Sequence, residues 1–159
     1  MSLQRQKNPV IGVIADTHGL LRPEALAALQ GVEAIIHAGD VGDPAILRKL
    51  EHIAPVTAVR GNIDTAVWAR VLPETNVAEI GGAHLYVLHR LQDLDLDPAA
   101  AGFAAVIFGH SHQRLIEWRK DVLFFNPGSA GPRRFSLPIS IGKLTLEGGR
   151  LKPEMVELK

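Results

Sequence analysis

Short apolar runs alternate with amphipathic stretches along the first sixty residues, and that rhythm predicts the elements. Residues 10–15 form a continuous apolar, β-branched run, the pattern of a strand buried on both faces. Residues 21–30 keep a helical spacing: Pro23 stands near the first turn, Leu26 and Leu29 share a face, and Gly31 follows the end. A second short strand is predicted at 34–37 and runs into Ala38-Gly39-Asp40. Asp43-Pro44 reads as an N-cap with proline at the first helical position, opening a helix to about residue 53. Residues 56–59 predict a third strand, ending on Arg60-Gly61-Asn62. This stretch therefore reads β-α-β-α-β, with a polar cluster directly after each strand.

The second half is richer in strands. Residues 75–80 and 83–88, joined by Gly81-Gly82, predict a hairpin. Asp97-Pro98 reads as the cap of a short helix. Residues 106–108 predict a buried strand that ends at Gly109-His110. Strands at 114–118 and 122–125 flank the turn Arg119-Lys120-Asp121, and strands at 139–146 and 151–158 flank Glu147-Gly148-Gly149. The whole suggests two sheets facing each other with helices outside.

Composition narrows the possibilities. The chain of 159 residues is expected to form one domain over 1–159, and a domain of that length buries roughly 68–70% of its unfolded surface. The longest nearly apolar run, residues 99–109, is shorter than the about 18 residues a membrane span needs. The polar opening of residues 1–8 predicts no signal peptide. Lys plus Arg equals Asp plus Glu, 17 against 17. That balance disfavours a long nucleic acid or an anionic membrane as partner, but leaves room for a small phosphorylated substrate. Without cysteine there is no disulfide, thiolate nucleophile or Cys-ligated metal. The cytoplasm is the expected compartment, and any metal must be held by His, Asp, Glu, Asn or backbone.

The residues that follow the predicted inner strands answer that requirement. They are Asp16-Thr17-His18, Gly39-Asp40, Gly61-Asn62-Ile63-Asp64, His89 and Gly109-His110-Ser111-His112. Ligand sites in open α/β sheets lie outside the carboxyl ends of strands. Five strand ends thus deliver two carboxylates, one carboxamide and four imidazoles towards one edge. Each word alone is weak, since Gly-Asp and Gly-Asn are common turns. Together they supply too many ligands for one tetrahedral ion and suit two ions sharing a bridging carboxylate. An extended His110-Ser111-His112 would point both rings the same way.

Other positions carry competing readings. Thr17 closes a turn, and His37, in an apolar strand, reads as a satisfied core histidine. His52 and His84 read as surface residues. Asp64 either orients the Asn62 loop or is a turn aspartate. Arg133 and Arg134 either clamp a phosphate or form a solvated pair. Trp68 and Val71 read first as local packing, with a substrate pocket or a dimer contact as the alternative. Residues 126–129, Asn-Pro-Gly-Ser, form a turn by composition.

The combined pattern resembles that of the calcineurin-like metallophosphoesterases: D-x-H, G-D, G-N-H-D/E, a lone His and G-H-x-H. The resemblance runs from about Val10 to Arg133, and the length together with Asn126-Pro127-Gly128-Ser129 is similar to the small bacterial and archaeal phosphodiesterase branch. It implies a four-layer α/β/β/α sandwich of two mixed β-sheets flanked by helices, and a di-metal phosphodiesterase or phosphoesterase. One metal would take Asp16, His18 and His112, the other Asn62, His89 and His110, with Asp40 bridging. It further implies catalytic roles for Asp40, Asn62 and His89, and substrate contacts from Asn62, Arg90 and Arg133. Mn²⁺ is the expected ion, with Fe²⁺, Ni²⁺ or Zn²⁺ as alternatives, a small phosphate ester the expected substrate, and a homodimer the expected assembly.

Two positions depart from the pattern. Ile63 stands where the wider family has His and the small branch often Cys, and Arg90 stands where Gly usually follows the lone His. A protein-binding scaffold is the alternative function, since the small subunit of the retromer coat resembles this branch in length. There the ligands are eroded, whereas all seven positions here keep a ligand-type residue.

Overall fold

Two mixed sheets, each of five strands, lie face to face in the computed structural model, which describes residues 8–159. The opening segment on which the expectation of no signal peptide rests lies, but for Asn8, outside the described residues. The first sheet joins β1 (Val10–Ile14), β2 (Ala34–His37) and β3 (Val56–Ala58) in parallel, then β9 (Ser140–Glu147) and β10 (Arg150–Glu157) antiparallel on the far side of β1. The second sheet runs in the order β4 (Thr75–Ile80), β5 (Ala83–Leu88), β6 (Ala105–Ile107), β8 (Val122–Asn126) and β7 (Leu115–Arg119). Within it β5, β6 and β8 are parallel. The parallel strands of both sheets deliver their carboxyl ends to one shared edge, the arrangement that builds the site.

Local chemistry explains the connecting helices. α1 (Pro23–Ala28) starts with proline at its first turn and is closed by Gly31 at φ 88°. α2 (Pro44–Glu51) is capped by the Asp43 carboxylate, which accepts from the Ala45 amide at 2.9 Å. The helix expected after Asp97 is not there. Asp97 does cap the amides of Ala99 and Ala100, but the chain makes one turn and leaves it at Gly102, φ 86°. Three consecutive alanines bury too little apolar surface to sustain a helix after nucleation. Residues 67–71 form a 3₁₀ turn, in which Trp68 packs on the helix side of the first sheet and Val71 stays exposed.

The core lies in three layers. Between the sheets, Ile11, Val13, Ile36 and Leu144 meet Leu85, Val87, Ile107 and Phe125. Alternation sends Ile14, Ile35 and Ile141 to the opposite face, against Leu29, Ile46 and Leu50 of the helices. Outside the second sheet, Tyr86, Leu88, Val106 and Phe124 are covered by the 3₁₀ turn Leu91–Asp93 and the loop to Phe103. That outer layer is more loop than helix. Among the described residues, no helix is long and apolar enough to cross a membrane.

The close approach of the sheets has a specific requirement. A Cβ on Gly142 of β9 would sit 2.3 Å from Phe125 Cζ, so the ring of β8 occupies the space a side chain would need. Gly142→Ala should destabilise the fold by about 1–3 kcal/mol in urea unfolding, and Phe125→Leu on that background should recover part of the loss. If Phe125→Leu recovers none of it, the ring is not what crowds the position.

Candidate metal centre

Five strand ends bring the predicted ligand types together. Asp16 and His18 follow β1, Asp40 follows β2, Asn62 follows β3, His89 follows β5, and His110 and His112 follow β6. Asp16, His18 and His112 form one group whose ligand atoms lie within 4.8 Å of one another, and Asp40, His89 and His110 form a second. The Asp40 Oδ2 atom lies between the two, 3.4 Å from His18 Nε2 and 3.2 Å from His89 Nε2. Asp16 Oδ1 stands 3.8 Å from both His89 Nε2 and His112 Nε2. Asn62 Oδ1 meets His110 Nδ1 at 3.1 Å, which places the carboxamide beside the second group.

The backbone reaches this arrangement through unusual conformations. Asp16, His18, Asp40, His110 and His112, five of the seven candidate ligands, lie at positive φ between 48° and 76°. Each left-handed non-glycine residue costs about 1–2 kcal/mol, and such outliers concentrate at functional sites. The expected extended His-x-His is corrected by this: His110 and His112 are both left-handed and serve different groups. Gly61 is needed for space, since its Cβ would stand 2.1 Å from Asp40 Oδ1. In the resulting gap Asp40 Oδ1 accepts the Ile63 amide at 3.0 Å.

Hydrogen bonds fix which nitrogens face inward. His89 Nδ1 donates to Ala38 O at 2.8 Å, leaving Nε2 as the free donor atom. The buried Nε2 atoms of His18 and His89 have no hydrogen-bond partner, and both face Asp40 Oδ2. Orphaned imidazole nitrogens around buried carboxylates form a donor set that suits divalent cations, so the residues fit two ions.

The electrostatics say the same. Burial pushes the Asp16 carboxyl up to about 7, against the pull of His89. Burial also acts to raise Asp40, but the His89 imidazole 3.2 Å away and the Ile63 amide prevail and hold it below its ordinary value. Conversely, burial acts to depress His89, and the neighbouring Asp40 carboxylate leaves it raised. Burial lowers His18, His110 and His112, the last to about 4, favouring the neutral form that binds metal.

A layer of supporting residues holds these groups. Asp64 is more than a turn aspartate: its carboxylate accepts the amides of Val41 at 3.1 Å, Gly42 at 3.0 Å and Gly61 at 2.9 Å. It thereby ties the Asp40 loop to the Asn62 loop. His37 is the satisfied core histidine expected: Nδ1 accepts from Gly39 N at 3.1 Å and Nε2 meets Thr17 Oγ1 at 3.0 Å, which donates to Val41 O at 2.8 Å. Complete burial drives His37 down to about 3, so it stays neutral.

The Asn126–Ser129 turn, unassigned in the sequence, is a brace. Asn126 Nδ2 donates to Gly109 O at 3.1 Å, and Ser129 Oγ donates to Asp16 O at 3.1 Å. Only the turn composition signalled it. Arg90 lines a cleft with Asn62 and His89 and pairs with Asp93 at 3.7 Å. Arg133 is exposed and donates to Leu137 O at 3.3 Å. His52 and His84 are exposed, as expected.

Known proteins share this plan. A family model described as a calcineurin-like phosphoesterase superfamily domain matches residues 10–149. A probable metallophosphoesterase of Methanothermobacter thermautotrophicus is 35% identical, covering 92% of this chain and 91% of that protein. A solved structure of a novel archaeal phosphodiesterase superposes with a TM-score of 0.77 at 25% identity, covering 94% of this chain and 99% of the other. Vacuolar protein sorting 29 from Cryptosporidium parvum superposes at 0.75 with 20% identity, covering 97% and 100%, a likeness that speaks for the fold.

Two outcomes follow from the geometry. Asp64→Ala strips the acceptor from three amides and should cost at least about 2 kcal/mol in urea unfolding of the metal-free protein, with Asp64→Asn intermediate. A loss below about 0.5 kcal/mol would be that of an ordinary surface residue and would refute the tie. Because Asp16 holds its proton up to about 7 and His89 is raised, metal uptake near neutrality must expel protons. Mn²⁺ affinity should therefore rise between about pH 6 and pH 8, with proton release visible by calorimetry in buffers of different ionisation heat. Affinity flat across that range would contradict the assignment.

Proposed function

Because the chain belongs to the calcineurin-like phosphoesterase superfamily, we propose that it is a phosphodiesterase that works with two divalent metal ions. The observation that carries this reading is the pair of ligand groups meeting at Asp40, whose Oδ2 lies 3.4 Å from His18 Nε2 and 3.2 Å from His89 Nε2. Asp16, His18 and His112 would hold one ion, and Asn62, His89 and His110 the other, with Asp40 serving both. Bound there, the ions would lower the pKa of a water to make a nucleophile and neutralise charge on the phosphoryl oxygens.

The chain's own residues do the rest. Asp16, Asp40, His89 and His112 are buried, while Asn62 and Ile63 are exposed, so the site is closed to water behind and open to a phosphate ester in front. The Asn62 carboxamide orients a phosphoryl oxygen from that open side. Ile63 offers no proton, so the leaving oxygen departs as an anion or takes its proton from water. General acid help is typically worth about 10²–10⁴-fold, and its absence favours esters with good leaving groups. We extend the proposal to Mn²⁺ as the ion, the cytoplasm as the compartment and a homodimer as the assembly, on the likeness to the small phosphodiesterase branch.

The test combines metal content with turnover of bis(4-nitrophenyl) phosphate. The protein should retain two equivalents of Mn²⁺ and turn the ester over only when loaded. Asp40→Asn should bring bound metal towards zero, because the bridge serves both ions, whereas His112→Ala should mainly empty one position. Two equivalents and undiminished turnover in Asp40→Asn would refute the bridge. No metal above background under saturating supply would favour the protein-binding scaffold instead.

A further inference from the structure

The segment after the Asn126–Ser129 brace carries features that neither the fold nor the metal ligands explain. Gly131 is anchored against the first ligand loop: its amide donates to Ser129 Oγ at 3.3 Å, and its carbonyl accepts from Arg22 at 3.1 Å. A Cβ there would lie 2.3 Å from Thr17 O. The chain then makes a tight turn closed by Leu137 N donating to Arg134 O at 3.1 Å. Phe135 is the first central residue of that turn, at φ 54°. This is a glycine or asparagine position, and a bulky aromatic there is a conformational outlier. Its ring is 89% exposed, so no burial offsets the strain.

Arg134, beside it, is placed for a ligand. With Pro132 and Arg133 it closes a cleft of about 170 Å³ whose other walls are His18 and His112. A space of that size suits a phosphoryl group or a single ring; an engineered cavity of about 150 Å³ holds benzene. Arg133 is engaged by Leu137 O, to which it donates at 3.3 Å, and Arg134 makes no ion pair among the described residues. Apolar exposure recurs beside the candidate ligands in the chain: Leu20, two residues after His18, and Ile63, one after Asn62, are both about two-fifths exposed. Large apolar side chains left bare near a polar site mark a binding surface.

We propose that Arg134 and Phe135 form a substrate-binding arm, in which the Arg134 guanidinium takes an anionic oxygen of a phosphate ester and the Phe135 ring lies against an aromatic ester group. The substrate class is thus an aryl or similarly planar phosphate ester. This inference rests on the phosphoesterase reading and narrows it.

Binding of two non-hydrolysable probes tests the arm without requiring turnover. Phenylphosphonate and methylphosphonate share their anionic head and differ in the ring. Titration calorimetry on Mn²⁺-supplied protein should show phenylphosphonate binding about 3–10-fold tighter, the worth of an aromatic contact. Phe135→Ala should bring that ratio close to one. Arg134→Ala should weaken both probes together by about tenfold or more, as for a lost charge-assisted hydrogen bond. Phe135→Gly should raise the thermal midpoint while losing the ring preference, since glycine relieves the turn.

No ring preference in the unmodified protein, a preference that survives Phe135→Ala, or no binding of either probe would overturn the proposal. So would a lower midpoint in Phe135→Gly, which would show that the fold itself holds the ring. A fall in sedimentation mass in Phe135→Ala with the phosphonate ratio unchanged would assign the residue to contact between copies. If the ratio behaves as expected while bis(4-nitrophenyl) phosphate is not turned over, the arm stands and the phosphoesterase reading fails.

Discussion

Two carboxylates buried against one another set the terms for this molecule. Asp16 and Asp40 are almost wholly withdrawn from water and share two imidazole neighbours, His18 and His89, within 4.0 Å, while His112 lies beside Asp16. Burying an ionised carboxylate is tolerable only where it is paired and hydrogen-bonded. The histidines around this pair are mostly held neutral, so they supply lone pairs rather than charge. What the arrangement lacks is positive charge at its centre, and divalent cations are the simplest means of supplying it. Burial raises Asp16, and the Asp40 carboxylate raises His89 against the opposing effect of its own burial.

Much of the surrounding structure exists to hold that unfavourable cluster. The parallel strands bring five loop ends to one edge, and the loops then bind each other: Asp16 N to Gly39 O at 3.0 Å, His18 N to Asp40 O at 2.9 Å. Those bonds, with the Asp64 and Ser129 braces, over-determine the left-handed conformations that would otherwise relax. Rigidity here has a chemical consequence. A preorganised set of ligands would lose little on binding an ion, and would hold Asp40 Oδ2 between the two groups.

The sequence disclosed the framework unevenly, and for physical reasons. Strands at 34–37, 75–80 and 83–88 coincide with the structure, because apolar runs bounded by glycine or polar clusters are strong local signals. The gathering of the candidate ligand residues was legible because each lies within five residues of a strand end, so strand order alone brings them to one edge. The helix after Asp97 was misread because a cap was present without an apolar face to stabilise what it began. The direction of His110 and His112 was misread because two-residue alternation holds only in extended chain. Asp64, Asn126 and Ser129 act on partners 22–23, 17 and 113 residues away, contacts that no local pattern encodes. Arg133 and Arg134 were indistinguishable as neighbours in an irregular loop; in the fold both line the cleft, and Arg133 is the one held by Leu137 O.

The central claim is that Asp40 joins two ions. Anomalous diffraction from crystals of the Mn²⁺-loaded protein tests it most directly. The account predicts two peaks about 3.5–4 Å apart, one beside Asp16, His18 and His112 and the other beside Asn62, His89 and His110, with a carboxylate oxygen of Asp40 coordinating both. A single peak, or two peaks of which only one is coordinated by Asp40, would contradict it.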